Sequence, residues 1–482
     1  MSSTAAVRRA TSRTKQAEKL DAADGLPHRR IASPAASSSP RAASSGASRV
    51  DRGHFELATG LASDHAAIQH LIGTVFPASI RDAFGSSLDD PFYEPKDRFI
   101  IRHNEQIVAH VHLAERVMHF GPISLPTTAV VGLGTLPEFR GRGLARSLMT
   151  AAERAMRDDG AVLGLLSTRI PHFFAAHGWA VCGRCSHSRA STRDVLAHLS
   201  ARGVPPAEGA AGIRPWRQVE LPGLMRLHAE RTARSFGPLE RTEAYWRWLI
   251  SRQEFDQIFV ALDGPDHMDW ASLESPIAGY VVIRDDRILE LYARPNDTRP
   301  TSILERPMPS IAEQLLARAC GEAIERDYHG IQLHAAPDDP LHQLFVESSG
   351  AVTHHEAYQG EVFMARLLDA PGFVRRMADE LQRRAVEGSL PRSVELGLCV
   401  DGQKQRLVVT RRSARLERGN VGRSYLRMNS QEFTRLMMGH LDVAEAVAQG
   451  RIESSTRLAL EMAEILFPRL PYWRAPWDDV AC

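Results

Sequence analysis

The stretch from Ala129 to Gly160, AVVGLGTLPEFRGRGLARSLMTAAERAMRDDG, leaves this chain few choices of fold. Val130, Val131, Leu133 and Leu136 form a short apolar run closed by Pro137, as expected of a buried strand that stops where a backbone donor is lost. Arg140, Gly141, Arg142 and Gly143 follow as a tight turn. Leu144, Leu148, Ala151, Ala152, Ala155 and Met156 then recur at helical spacing, with Gly160 placed to end the helix in a left-handed conformation. Two glycines and two arginines at a helix N-terminus aim backbone N–H groups, the helix dipole and fixed positive charge at one point. That is an anion site, best suited to a pyrophosphate.

Two nucleotide motifs are excluded. No lysine followed by Ser or Thr closes the turn, so it is not a Walker A loop, and the spacing is not GxGxxG. What remains is RxxGxA, from Arg140 through Gly143 to Ala145, behind a strand and LPEF. This stretch resembles the acyl-CoA-binding motif of the GCN5-related N-acetyltransferase (GNAT) superfamily. The resemblance implies acetyl-CoA as co-substrate, with Arg140, Gly141, Arg142, Gly143 and Ala145 on the pyrophosphate. Leu133, Gly134 and Thr135 would lie beside the thioester and pantetheine.

At 482 residues the chain has room for about three domains. A net charge of +1 argues against bulk nucleic-acid binding, which needs a clearly basic surface. No apolar run reaches about 18 residues, so no membrane span is expected. Five scattered cysteines without a secretory signal point to a reduced, cytoplasmic setting. Residues 1–53 are rich in Ala, Ser and Arg and poor in large apolar side chains, so they read as a disordered basic leader.

From His54 onward helices and strands alternate, giving an α/β (α+β) class. Asp64 is placed to cap a helix through Val75, and Asp82, Asp89, Asp90 and Glu94 fall in an acidic loop. Strands are expected at Phe99 to Arg102 and Ile107 to His112, then a hairpin around Gly121 and Pro122. His110, His112 and His119 alternate on or near the central strand. Packing or exposure is the commoner outcome for such residues, and lining an acceptor cleft is the functional one. After the strand that opens at Val162 comes RIPHFFAAHGWAVCGRC, where GNAT proteins usually carry FYxxxGF. Phe173, Phe174, Gly178 and Trp179 fill that place, so the tyrosine that commonly protonates the departing thiolate falls at Phe174 and has no hydroxyl. His172 and His177 flank it as candidate acid or base, with ordinary pKa values close to neutrality. Cys182 and Cys185, near His187, fall short of the four ligands a zinc site needs, and no metal is expected.

A linker at residues 203–212 leads to a second unit whose strands and helices repeat the order of the first. Where its glycine turn should stand there is only YARPNDTRPTS, so this half resembles a GNAT domain that has lost the cofactor. After Pro371, a helix, three meander strands and SQEFTRLMMGH resemble a sterol-carrier-protein-like domain. The domains expected are therefore a GNAT domain at 54–200, a degenerate one at 212–368 and the C-terminal unit at 371–482. This order resembles the enhanced intracellular survival (Eis) family of acetyltransferases. That resemblance implies a tail tucked into the first domain, with the terminal carboxylate, here on Cys482, as base, and a homo-oligomer, by family resemblance a hexamer. It also implies amine acceptors such as aminoglycosides or protein lysines. A cationic acceptor needs acidic lining, for which Asp82, Asp89, Asp90 and Glu94 are the available group. A second reading keeps the CoA site without turnover, as an acyl-CoA sensor or scaffold.

Overall fold

The computed structural model describes residues 54–183, 185–205, 212–262, 277–295, 309–358 and 360–478, with the backbone alone at 78–82, 185 and 358. The chain begins with β1 (Phe55–Thr59), α1 (His65–Val75) and α2 (Ala78–Leu88). The hairpin strands β2 (Arg98–His103), β3 (Gln106–Phe120) and β4 (Ile123–Thr135) follow. Helix α3 (Leu144–Asp158) crosses to β5 (Leu163–Thr168), which pairs in parallel with β4. Strand β3 is nearly continuously buried from Ile107 to Ala114, because it is central and covered on both faces. Leu71 and Val75 of α1, with Phe76 just after it, press on the face that carries Gly134 and its partner His110. Leu113, three residues along and so on the opposite face, shares a cavity wall with Ala155 of α3.

Asp82 therefore lies in a helix rather than in the acidic loop expected; Gly85, Ser86 and Ser87 weaken the helical signal there. Asp64 does occupy the position before α1, yet its carboxylate pairs with Arg102 at 2.6 Å and accepts from the Leu61 N–H instead of capping.

Beyond β5 come α4 (Pro171–Ala175), β6 (Ala180–Val181), β7 (Cys185–Ser191) and α5 (Thr192–Ala201). The next stretch holds β8 (Ile213–Pro215), α6 (Leu221–Thr232), β9 (Phe236–Leu239) and α7 (Glu243–Ser251). Strands β10 (Gln257–Leu262), β11 (Ile277–Arg284) and β12 (Arg287–Ala293), helix α8 (Ile311–Glu325) and β13 (Gly330–His334) repeat the plan of β2 to β5. Then come α9 (Leu341–Glu347), β14 (Ala351–His355), β15 (Ala357–Tyr358) and β16 (Glu361–Leu367).

The two sheets trade strands. The first runs β1-β2-β3-β4-β5-β16-β15, and the second β14-β7-β13-β12-β11-β10-β8. Thus β16, expected in the unit at 212–368, closes the open edge of β5, while β7, expected in the unit at 54–200, pairs with β13 and β14. Both sheets cross the boundary drawn between those units. An edge strand left bare invites pairing with another chain, and the exchange covers both edges from within.

The C-terminal part holds α10 (Ala370–Arg376) and α11 (Ala378–Glu387), one helix in the sequence reading but broken at Met377. Its sheet, β17 (Ser393–Val400), β18 (Gln403–Thr410), β19 (Ala414–Arg418), β20 (Tyr425–Met428) and β21 (Glu453–Ser454), runs β19-β18-β17-β20-β21. Helix α12 (Ser430–Met437) is capped by Asn429, whose side chain accepts from the Glu432 N–H at 2.8 Å. It docks on the first unit through Gln431 to the Ala175 carbonyl and Arg435 to the Val181 carbonyl. Helices α13 (Val443–Ala448) and α14 (Arg457–Leu466) complete this part. Among the described residues no helix is long and apolar enough to cross a membrane.

Packing between β5 and the α4 turn is close. A Cβ at Gly164 would lie 2.7 Å from Cη2 of the fully buried Trp179, whose Nε1 donates to Glu153. Gly164→Val should therefore cost about 1–3 kcal/mol by overpacking, seen as a lowered Tm; an unchanged Tm would show that the ring can give way.

Candidate active site

Strands β4 and β5 pair only from Thr127–Leu163 to Ala129–Leu165. Beyond Ala129 they part: β5 stays bound to β16 on its other side, and the β4 edge facing β5 has no strand partner among the described residues. A wedge thus opens along Val130 to Thr135. At its foot a single turn (Pro137–Phe139) leads into the glycine turn, where Gly141 and Gly143 have φ of +75° and +79°. Non-glycine residues are strained in that region. Among the described residues no backbone acceptor closes onto the N–H groups of Gly141, Arg142, Gly143, Leu144 or Ala145, and Arg140 to Gly143 are exposed. Arg140 donates to the Thr135 carbonyl at 3.2 Å, and Arg142 lies over Phe139 and Phe55. Neither arginine meets a carboxylate among the described residues. The cradle is open, positively charged and preformed. Of the other residues expected on the cofactor, Leu133 and Thr135 are half-buried along the wedge, while Gly134 is buried where α1 presses on β4.

At the wedge, β4 carries a bulge. His112 faces Val131 and His110 faces Gly134, so one extra residue is taken up around Gly132, whose φ is +61°. The Gly132 carbonyl accepts a hydrogen bond from His110 Nδ1 at 3.0 Å, which places the proton there and makes Nε2 the acceptor from Arg98 Nη1 at 3.2 Å. Burial, and then the Arg98 charge, push the His110 pKa down to about 3 and hold His112 well below its ordinary value. Both imidazoles are neutral, and with both nitrogens engaged His110 is no general base.

The candidates around α4 differ in exposure. Phe174 is 5% exposed and packs edge-on to Phe173 and near Trp179. His172 is exposed; His177 is half-buried, with Nδ1 donating to the Phe173 carbonyl at 2.8 Å. Cys182 is fully buried and burial pushes its thiol up to about 12, which suits packing rather than metal ligation. Cys482 lies outside the described residues.

The acidic group expected to line the cleft does not converge. Asp90 is buried in an ion pair with Arg116, Glu94 pairs at the surface with Lys96, and Asp89 is exposed; the Asp82 side chain is outside the described residues. Different carboxylates surround open space. Strand β2 ends its pairing at Arg98–His112 and β9 begins at Met118–Leu239, so among the described residues β3 lacks a strand neighbour on that edge in between. A cavity of about 290 Å³ there is lined by Phe92, Glu115, Arg116, Thr128 and Glu240. A second, of about 170 Å³, shares Glu115, Thr128 and Asp159 with it and adds Asp97. Burial, with Glu115 nearby, holds the Asp97 carboxyl above its ordinary range despite a hydrogen bond from the Glu94 N–H. Nothing local in the sequence separates these carboxylates from solvated ones.

Residues 59–182 match the family described as acetyltransferase (GNAT) domain. The chain carries a GNAT acetyltransferase domain. No curated protein matches it. Among solved structures, a GCN5-related N-acetyltransferase from Kribbella flavida is similar over 89% of this chain and 99% of its own, with a TM-score of 0.65 at 17% identity. One from Anabaena variabilis ATCC 29413 gives 0.65 at 15% identity, covering 88% and 99%. Eis1 from Mycobacterium abscessus gives 0.58 at 14% identity, also over 88% and 99%. At these identities the likeness establishes the fold alone, along nearly nine-tenths of the chain. The GNAT domain coincides with the wedge and cradle.

Among the described residues, His228, Glu290 and Asp478 have metal-ligand spacing, with ligand atoms within 4.8 Å of one another. They are remote in sequence from the cradle, and the Arg241 guanidinium already pairs with both carboxylates. Asp478 lies on the tail, which packs against β9 and α7: the Trp473 N–H donates to the Phe236 carbonyl, and Trp477 packs on Trp246.

Proposed function

We propose that the protein transfers an acetyl group from acetyl-CoA to an amine by direct attack. The observation that carries this reading is the open ring of N–H groups from Gly141 to Ala145 at the foot of the β4–β5 wedge. Arg140, Gly141, Arg142, Gly143 and Ala145 hold the pyrophosphate, and the free edge from Leu133 to Thr135 takes the pantetheine. The Leu133 N–H donates to the thioester oxygen as negative charge develops there. A neutral amine attacks the thioester carbon, the C–S bond breaks and CoA leaves as thiolate. The amine's proton passes to a base, for which the candidates are the Cys482 carboxylate, His172 and His177. A thiolate leaves readily near neutrality, since its conjugate acid has a pKa of about 8.5. The acceptor is an amine-bearing small molecule or a protein lysine, drawn by carboxylates such as Glu115 and Asp159. The C-terminal part is assigned as sterol-carrier-protein-like and the second unit as a degenerate GNAT domain.

Phe174 favours a second reading, an acyl-CoA sensor without turnover, because no hydroxyl stands where the family places its acid. The test is thiol release from acetyl-CoA with a panel of polyamines, aminoglycosides and lysine peptides, with mass spectrometry of each amine. Release matched by an acetylated product is expected. Tight acetyl-CoA binding with no modified amine supports the sensor instead.

A further inference from the structure

Beneath the β4 bulge lies a guanidinium with no carboxylate partner among the described residues. Arg98 is 2% exposed and donates from Nε to the Tyr93 hydroxyl at 3.0 Å, from Nη1 to His110 Nε2 at 3.2 Å and from Nη2 to the Ser87 hydroxyl at 2.9 Å. Each acceptor is neutral. The Tyr93 hydroxyl is in turn 2.7 Å from His65 Nε2, and the Ser87 hydroxyl donates to the Phe84 carbonyl. Aromatic faces of Phe84 and Tyr93 complete the shell, at 4.7 and 5.0 Å. Burying a charge costs several kcal/mol even after relaxation, and buried ion pairs are the usual compensation. Here the full positive charge is kept and pointed, through one imidazole, at a single backbone carbonyl.

That carbonyl belongs to the peptide that joins Gly132 to Leu133. The peptide is planar and trans, so its C=O and N–H point in opposite directions. With the Gly132 oxygen held on the His110 face, the Leu133 N–H is aimed away from it. A hydrogen bond accepted at one end of a peptide strengthens the donor at the other, the more so in a low dielectric. We infer that Arg98 and His110 are positioning residues that polarise the Gly132–Leu133 peptide and make the Leu133 N–H a stronger donor to the thioester oxygen. The inference rests on the acetyltransferase reading above.

The test reads the thioester itself, without an amine. [1-¹³C]Acetyl-CoA bound to the full chain is followed by isotope-edited infrared spectroscopy in wild type, Arg98→Met and His110→Gln, with dissociation constants measured alongside. In the wild type the carbonyl band should move to lower frequency than that of free acetyl-CoA, as a strong donor draws electrons to the oxygen. Both variants should lose a large part of that shift while the dissociation constant changes by less than about threefold, and kcat on any acceptor found should fall about tenfold or more. Arg98→Met removes a buried charge without leaving a carboxylate behind, and His110→Gln keeps a donor for Gly132, so at least one is expected to fold. A band that stays at the wild-type frequency in a folded variant overturns the inference and leaves the acetyltransferase reading standing. A wild type that binds no acetyl-CoA defeats that reading, and the inference with it.

Discussion

Arg241→Met should destabilise the protein by about 3–5 kcal/mol, a large share of the stability of an ordinary domain. Arg241, Glu290 and Asp478 have fully buried side chains. The guanidinium pairs with Glu290 through both of its terminal nitrogens and with Asp478 from Nε at 2.7 Å, between the rings of Trp246 and Trp477. Methionine fills much of the space but leaves two carboxylates without a cation. Burial already raises the Glu290 carboxyl above its ordinary value, with Arg241 pulling the other way. Removing Arg241 should raise it further. A carboxyl whose folded pKa lies above its unfolded value stabilises at low pH and loses that contribution as pH rises through the folded pKa. The Tm deficit of the variant should therefore be smaller at pH 5 than at pH 8, as thermal melts at several pH values would show. A deficit independent of pH would mean that the cluster is held by packing rather than charge. The stake is more than local, because Asp478 also accepts from the Leu239 N–H, and Glu240, next in the chain, donates its N–H to β3 and lines the larger cavity.

The second large effect is on binding. Gly143→Glu should weaken acetyl-CoA binding by at least about a hundredfold, with the fold retained. A Cβ at Gly143 would meet nothing within 4 Å, so the side chain fits, but φ of +79° costs about 1–2 kcal/mol for a non-glycine residue. Strain alone could thus mimic loss of function, and Gly143→Asn separates the causes, since asparagine tolerates the left-handed region better. The expectation is near-normal binding by Gly143→Asn and loss by Gly143→Glu, measured by calorimetry. Equal losses would mean that backbone geometry, not charge, governs the cradle.

The cradle was legible because every part of it is local: strand, proline, two glycines and helix follow one another within about thirty residues. Strands of the second unit are legible for the same reason: the apolar runs Ile258 to Leu262 and Ile288 to Ala293 each begin one residue inside the start of β10 and β12. Partners far apart in sequence were not. Asp90 looks like any loop aspartate until Arg116, on a strand 26 residues later, buries it. Arg98 opens a strand after a charged turn, where an arginine normally points to water, and only the stacked contacts of α2 and Tyr93 close over it. The strand exchange is the extreme case. The CSHSRAS of β7 is polar almost throughout, the EVFMARL of β16 has no clean alternation, and nothing in either segment says that each belongs beside the other unit's helix-crossed pair.

That exchange also sets a clock for biosynthesis. When β5 leaves the ribosome, the strand that completes its edge has not been made; β16 follows only after the whole second sheet has been translated. At about 5–20 residues per second, the nascent chain carries the unfinished edge for on the order of ten seconds or more. Through that interval the half-built sheet is exposed to neighbouring chains on the same polysome, and the cell's chaperones have a defined window in which to shield it.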